Sequence, residues 1–169
     1  MKTALKHHDT IDSQMAHAII LDDRLKAKNN QRIITLKKTY QYELTPFLKD
    51  SNAYGNIYFA RYFEWQGICR EMWFTECIYP DMLQMDGAFL TRTANNHYMQ
   101  EVLPFQKIQC ALNVQNLKRT SFDLIFKFYN QKAELVSSGY QTVVYTDSLT
   151  GRIKKIPQDV MAKVKAYHD

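Results

Sequence analysis

Cysteine is scarce in this sequence, and its placement excludes two classes of site. Cys69, Cys77 and Cys110 have neither the paired spacing of a metal site nor the even count of a disulfide framework. No apolar run reaches the roughly 18 residues that a membrane-spanning helix needs, so a membrane role is not expected. Met1 to Asp22 has no long apolar core behind its basic residues and does not read as a signal peptide. Reduced thiols in the cytoplasm are therefore the expectation. Internal repeats and low-complexity segments are missing, and no nucleic-acid-binding motif accompanies the charge.

What remains is the composition of a globular domain. The chain has 169 residues, 46% of them hydrophobic and 13% aromatic, enough for one full core and too apolar for disorder. The net charge is +5, with cations gathered toward the ends: Arg24, Lys26, Lys28, Arg32, Lys37 and Lys38, then Arg152, Lys154 and Lys155. An ordinary solvated surface accounts for them, and the same surface would suit an acidic partner.

Residues 1–30 read as an N-terminal extension, with a short helix over Ile11 to Lys28 around Ile19, Ile20 and Leu21. Residues 32–46 read as a strand in which Tyr40, Tyr42 and Leu44 alternate with polar residues, and Pro46 ends it. A loop from Phe47 to Gly55 follows, and then a long helix to about Cys77, broken at Pro80. Beyond it the pattern is β. Phe89 to Pro104 holds one strand. Ile108, Cys110, Leu112 and Val114 mark the next, then Phe122, Leu124, Phe126 and Phe128, and last Tyr140, Thr142 and Val144. Turns at Asn116 to Thr120 and Asn130 to Lys132 imply antiparallel hairpins. Asp159 to Tyr167 reads as a short terminal helix. The order implies the α+β class: a five-stranded antiparallel sheet wrapped around one long apolar helix. Such a sheet has open edges, which dimerisation would protect.

The most informative stretch is Asn52-Ala53-Tyr54-Gly55-Asn56, which leads straight into the apolar helix. A turn rich in amides and glycine beside a helix start can receive a polarised carbonyl, because the first helical amides lack intrahelical partners. On a helical projection Arg61, Glu64, Ile68 and Glu71 share a wetter arc. Arg70 falls on the opposite side, among Phe59, Phe63, Phe74 and Cys77, with Tyr62, Gln66 and Trp73 nearby. A guanidinium there is a buried ion pair, a side chain reaching out to water, or a functional cation. Cys69 beside it reads as packing, and His97 as a surface residue unless a second subunit brings it to a site.

Order and motif resemble the hotdog-fold thioesterases of the 4-hydroxybenzoyl-CoA thioesterase type, over roughly residues 32 to 146. The specific part is 50 to 73, where Phe59 to Trp65 reads Phe-Ala-Arg-Tyr-Phe-Glu-Trp. One position departs: Asn52 stands where that family carries its usual catalytic aspartate, and an amide is neither a nucleophile nor a base. With Ser51-Asn52, Gly55-Asn56, Tyr62, Trp65-Gln66-Gly67 and Cys69-Arg70-Glu71-Met72, the variant is most similar to the thioesterases of enediyne polyketide pathways. The resemblance implies Asn52, Arg70 and Tyr62 as catalytic residues. Gly55, Asn56, Tyr58 and Phe59 would bind substrate, the aromatics walling a narrow apolar channel. It implies hydrolysis of a long β-keto acyl thioester, saturated or polyunsaturated, on an acyl carrier protein. Water would attack under Asn and Arg positioning, with no catalytic carboxylate, metal or cofactor. The alternatives are a general acyl-CoA thioesterase and a non-catalytic acyl-thioester binding module. A homodimer or homotetramer is implied, with the Asn52 turn of one subunit meeting strand residues near Asn95 to Tyr98 of another.

Overall fold

In the computed structural model, which describes residues 37–169, apolar–polar alternation builds the sheet as the sequence implies. The elements are β1 (Tyr40–Leu44), α1 (Arg61–Trp73), β2 (Ala88–Tyr98), β3 (Ile108–Gln115), β4 (Ser121–Tyr129), β5 (Leu135–Thr146) and α2 (Gln158–Lys165). The expected extension over 1–30, its helix over Ile11 to Lys28, and the first residues of the 32–46 strand lie outside the described residues.

The five strands form one sheet in the order β1-β3-β4-β5-β2, and every neighbouring pair is antiparallel. Ile108, Cys110, Leu112 and Val114 of β3 and Phe122, Leu124, Phe126 and Phe128 of β4 all point to one buried face. That face receives Tyr62, Trp65, Gln66, Cys69 and Trp73 of α1. Trp65 meets the Phe128 ring at 5.9 Å and Trp73 meets Phe122 at 6.3 Å. Burying each of these large side chains stabilises the fold by about 1.5–3 kcal/mol. Glu64, Ile68 and Glu71 remain on the exposed arc, as the helical projection implies.

Two boundaries differ from the sequence reading, and the end of the helix agrees with it to one residue. The helix opens at Arg61, because Ile57 and Tyr58 are held extended: the Ile57 amide donates to the Val102 carbonyl at 2.8 Å and the Tyr58 amide to Asp50 O at 2.9 Å. At its other end α1 runs on into a wider π turn over Phe74–Ile78, so the helical run stops one residue past Cys77. β2 ends at Tyr98, well before Pro104. There the Met99 and Gln100 amides both turn onto the Val136 carbonyl, and the chain leaves the sheet as a loop. β2 carries a bulge at Arg92, between Thr91 and Thr93. Among the described residues it pairs with β5 on one side only, so its other edge is open in the single chain.

Candidate functional site

Asp50 anchors the turn that precedes α1. Its buried carboxylate accepts from the Phe47 amide at 2.8 Å and from Lys49 Nζ at 3.1 Å, and Arg61 Nε lies at 3.6 Å. Burial acts to raise its pKa, but the Phe47 amide and the two cations outweigh it and hold the carboxyl below the usual range. Both of its carboxylate oxygens are committed to the loop. Two residues on, the Asn52 amide donates to Asn56 O at 2.9 Å and the Gly55 amide to Asn52 O at 3.0 Å. Gly55 sits at φ 88°, a left-handed conformation that costs glycine little. The Asn52 side chain closes its own turn: Oδ1 accepts from the Tyr54 amide at 2.8 Å. Among the described residues no acceptor holds its Nδ2.

This turn faces the strip Tyr98 to Val102 across an open groove of about 530 Å3. Asn52, Asn56, Tyr58, Phe59 and Tyr62 line it, as do Tyr54 and Tyr98. Five of the seven residues expected at the site thus share one cavity. The rings are packed together: Tyr58 lies 4.6 Å from Phe59, and Tyr62 lies edge-on to Tyr98 at 5.1 Å. Tyr98 donates to the Phe59 carbonyl at 3.2 Å. Burial, with smaller contributions from Tyr98 and the Glu101 charge, pushes the Tyr62 phenol up to about 12. It therefore stays protonated at neutral pH and is no base.

Two expected residues fall elsewhere. Gly55 shapes the turn but does not line the groove, and its amide is spent on Asn52 O. Since α1 begins only at Arg61, the expected free amides at Gly55 and Asn56 are not a helix start. The Asn52 side chain lines the groove with its Nδ2 free of any described acceptor. Arg70 is the second exception. It lies eight residues beyond Tyr62, about 12 Å along the helix axis, and lines a separate cavity of about 150 Å3 with Phe74, Leu83 and Met85. Its Nη1 donates to Thr91 Oγ1 at 2.5 Å and to Gln141 Oε1 at 3.1 Å, while Glu71 stands 3.7 Å from Nη2.

From Arg70 a polar layer runs between α1, β2 and β5. Gln141 Nε2 donates to Gln66 Oε1 at 3.3 Å, and Gln66 Nε2 donates to Asn95 O at 3.0 Å and Asn96 Oδ1 at 3.1 Å. Asn96 Nδ2 donates to Ser137 Oγ at 2.8 Å. Gln66 is wholly buried within this chain. It fits only because residue 139 is glycine: a Cβ there would fall on the Asn95 carbonyl and the Gln66 amide.

The groove also carries a carboxylate on its lining, from a residue outside the expected set. Glu101 lines it, held by Asn56 Nδ2, which donates to Oε1 at 3.0 Å. Sequence reasoning missed Glu101, Gln141 and Gly139. Nothing local marks Glu101, since Asn56 stands 45 positions away. Cys69 is fully buried, consistent with packing, and burial pushes the neighbouring Cys110 thiol well up. His97 is exposed and lies outside the groove. Among the described residues no group of three His, Cys, Asp or Glu side chains could hold a metal ion, and no helix is long and apolar enough to cross a membrane.

Residues 47–164 match the family model of the thioesterase-like superfamily. Among curated proteins none matches. Solved structures share the fold. The dynemicin thioesterase, whose crystal structures reveal polyene binding, is 22% identical with a TM-score of 0.72, covering 78% of this chain and 99% of its own. A 1,4-dihydroxy-2-naphthoyl-CoA thioesterase from Synechocystis is 15% identical with a TM-score of 0.68, covering 76% and 96%. A Staphylococcus aureus protein in complex with CoA is 11% identical with a TM-score of 0.70, covering 78% and 84%. The five-stranded antiparallel sheet with its central helix is the hotdog arrangement of these neighbours.

Proposed function

The chain belongs to the thioesterase-like superfamily and is a thioester hydrolase, and from that premise we propose that it releases a long β-keto acyl chain, saturated or polyunsaturated, from an acyl carrier protein. The observation that carries this reading is the groove itself. Tyr54, Tyr58, Phe59, Tyr62 and Tyr98 give it aromatic walls beside the amides of Asn52 and Asn56. An acyl chain lies along such walls while its carbonyl meets the polar end. Asn52 Nδ2 donates to the carbonyl oxygen as negative charge develops there; a single donor of this kind is worth about 3 kcal/mol in the transition state. Tyr62, packed on Tyr98, fixes one wall of the site.

Arg70 enters through a second copy of the chain. The open β2 edge carries Thr91, the partner of Arg70. A homodimer formed along β2 brings this pair toward the other subunit's groove, where the guanidinium binds the β-keto oxygen. Cations such as Lys37, Lys38 and Lys155 suit an acidic carrier protein. The CoA complex of the Staphylococcus aureus neighbour supports acyl-CoA as the second substrate class. A hydrolysis panel tests both: decanoyl and 3-oxodecanoyl thioesters, each on carrier protein and on CoA. The expected result is the highest kcat/KM on the β-keto carrier-protein substrate. Equal rates on all four would leave a general thioesterase, and no hydrolysis of any would overturn the reading.

A further inference from the structure

We infer that Glu101 is the general base of this site, taking the proton from the water that attacks the thioester carbonyl. The inference rests on the thioesterase reading above and adds the proton acceptor that Asn52 cannot be.

Four observations carry it. Glu101 is the one carboxylate among the described residues lining the groove. Its backbone is fixed on both sides: the Met99 and Gln100 amides hold Val136 O at 3.0 and 3.1 Å, and the Val102 carbonyl accepts from Ile57 at 2.8 Å. Asn56 Nδ2 grips Oε1 at 3.0 Å, and no described residue donates to Oε2 or pairs the charge with a cation. That leaves Oε2 with its lone pairs for a water. Finally, the other groups near the groove are committed. Asp50 is buried and fully bonded, Glu64 is bound to Arg61 at 2.6 Å, and Tyr62 keeps its proton.

The chemistry balances without a further reactant. The water oxygen bonds to the carbonyl carbon as one water proton passes to Glu101 Oε2. The C=O electron pair moves onto oxygen, facing Asn52 Nδ2. The C=O then reforms, the C–S bond breaks, and its electron pair leaves on sulfur. The proton on Glu101 returns to the thiolate. Water and thioester become carboxylic acid and thiol, and the carboxylate is restored.

Glu101 could instead be a latch that only steadies Asn56, and the Glu101→Gln substitution separates the two roles. The amide it introduces keeps an oxygen that accepts from Asn56 Nδ2, so the latch survives while basicity is lost. The experiment compares full-length wild type, Glu101→Gln and Glu101→Asp on 3-oxodecanoyl-CoA from pH 5 to 9, reading thiol release, with thermal unfolding as the check on folding. In E101Q kcat should fall by about a hundredfold, within the range typical of general base catalysis, with KM little changed. The acid limb of the wild-type profile should vanish, leaving a rate proportional to hydroxide. E101D should keep the limb at an intermediate rate, and its profile decides the question should E101Q not fold. E101Q with the wild-type rate, or with a lower rate but the acid limb intact, overturns the base while leaving the thioesterase standing. A wild type that hydrolyses no thioester overturns both.

Discussion

In the proposed site Asn52 divides its amide between fold and substrate: the oxygen closes the Asx turn on Tyr54, and the nitrogen would serve the acyl carbonyl. Asn52→Ala should therefore lower kcat by about 10²-fold, the low end for loss of one oxyanion donor, with the turn weakened but the groove retained. Asn52→Asp keeps the turn acceptor and restores the carboxylate of the resembling family, so it should add a titration to the pH–rate profile. Wild-type rates in both variants would remove Asn52 from the chemistry. Arg70 makes a different case. Its guanidinium is bonded to Thr91 and Gln141, two neutral acceptors, and its carboxylate partner, Glu71 at 3.7 Å, is exposed. Arg70→Ala should cost at least about tenfold in rate while the protein stays folded, less than loss of a direct oxyanion donor. Full activity, or a variant that merely unfolds, would make Arg70 structural.

At the scale of elements, two glycines give opposite expectations. Gly139 on β5 lies under Gln66, so Gly139→Ala forces the buried amide or the β2 backbone to move. Such overpacking destabilises by about 1–3 kcal/mol. Gly67 on α1 has nothing within 4 Å of its would-be Cβ, so Gly67→Ala should stabilise the chain by about 0.5–1 kcal/mol through helix propensity. Urea unfolding reads both, and a destabilised Gly67→Ala would mean that another surface packs on that face of α1. The same elements mark what was legible in the sequence. β3, β4 and α2 emerge from their periodicity, because each buries one face and alternation records which. The start of α1 does not, because Val102 and Asp50 hold Ile57 and Tyr58 extended, and no local pattern encodes a partner 45 residues away. Glu101 was hidden for the same reason. The separation of Arg70 from Tyr62 was legible: eight helical residues span about 12 Å, and the projection recorded angle without rise.

For the whole molecule, the proposed dimer rests on what the single chain leaves open. β2 offers eleven residues with one edge unpaired among the described residues, and Leu90 and Tyr98 on it are exposed. An open strand of that length invites another strand. Other apolar side chains are exposed too: Phe59 and Met99 at the groove lining, and Phe47 and Phe105, which meet edge-on at 6.0 Å. Phe105 is held at φ 70°, a conformation that bulky residues adopt at a cost. A second copy along β2 would satisfy the strand and bring the Arg70–Thr91 pair toward the other groove. Leu90→Lys sets a charge on this edge without touching the core. It should shift sedimentation toward monomer and lower kcat in step with the dimer lost, and raising the protein concentration should restore both. A wild type that sediments as a monomer with full activity would contradict the shared site, and Arg70 would then have to act, if at all, from its own small cavity.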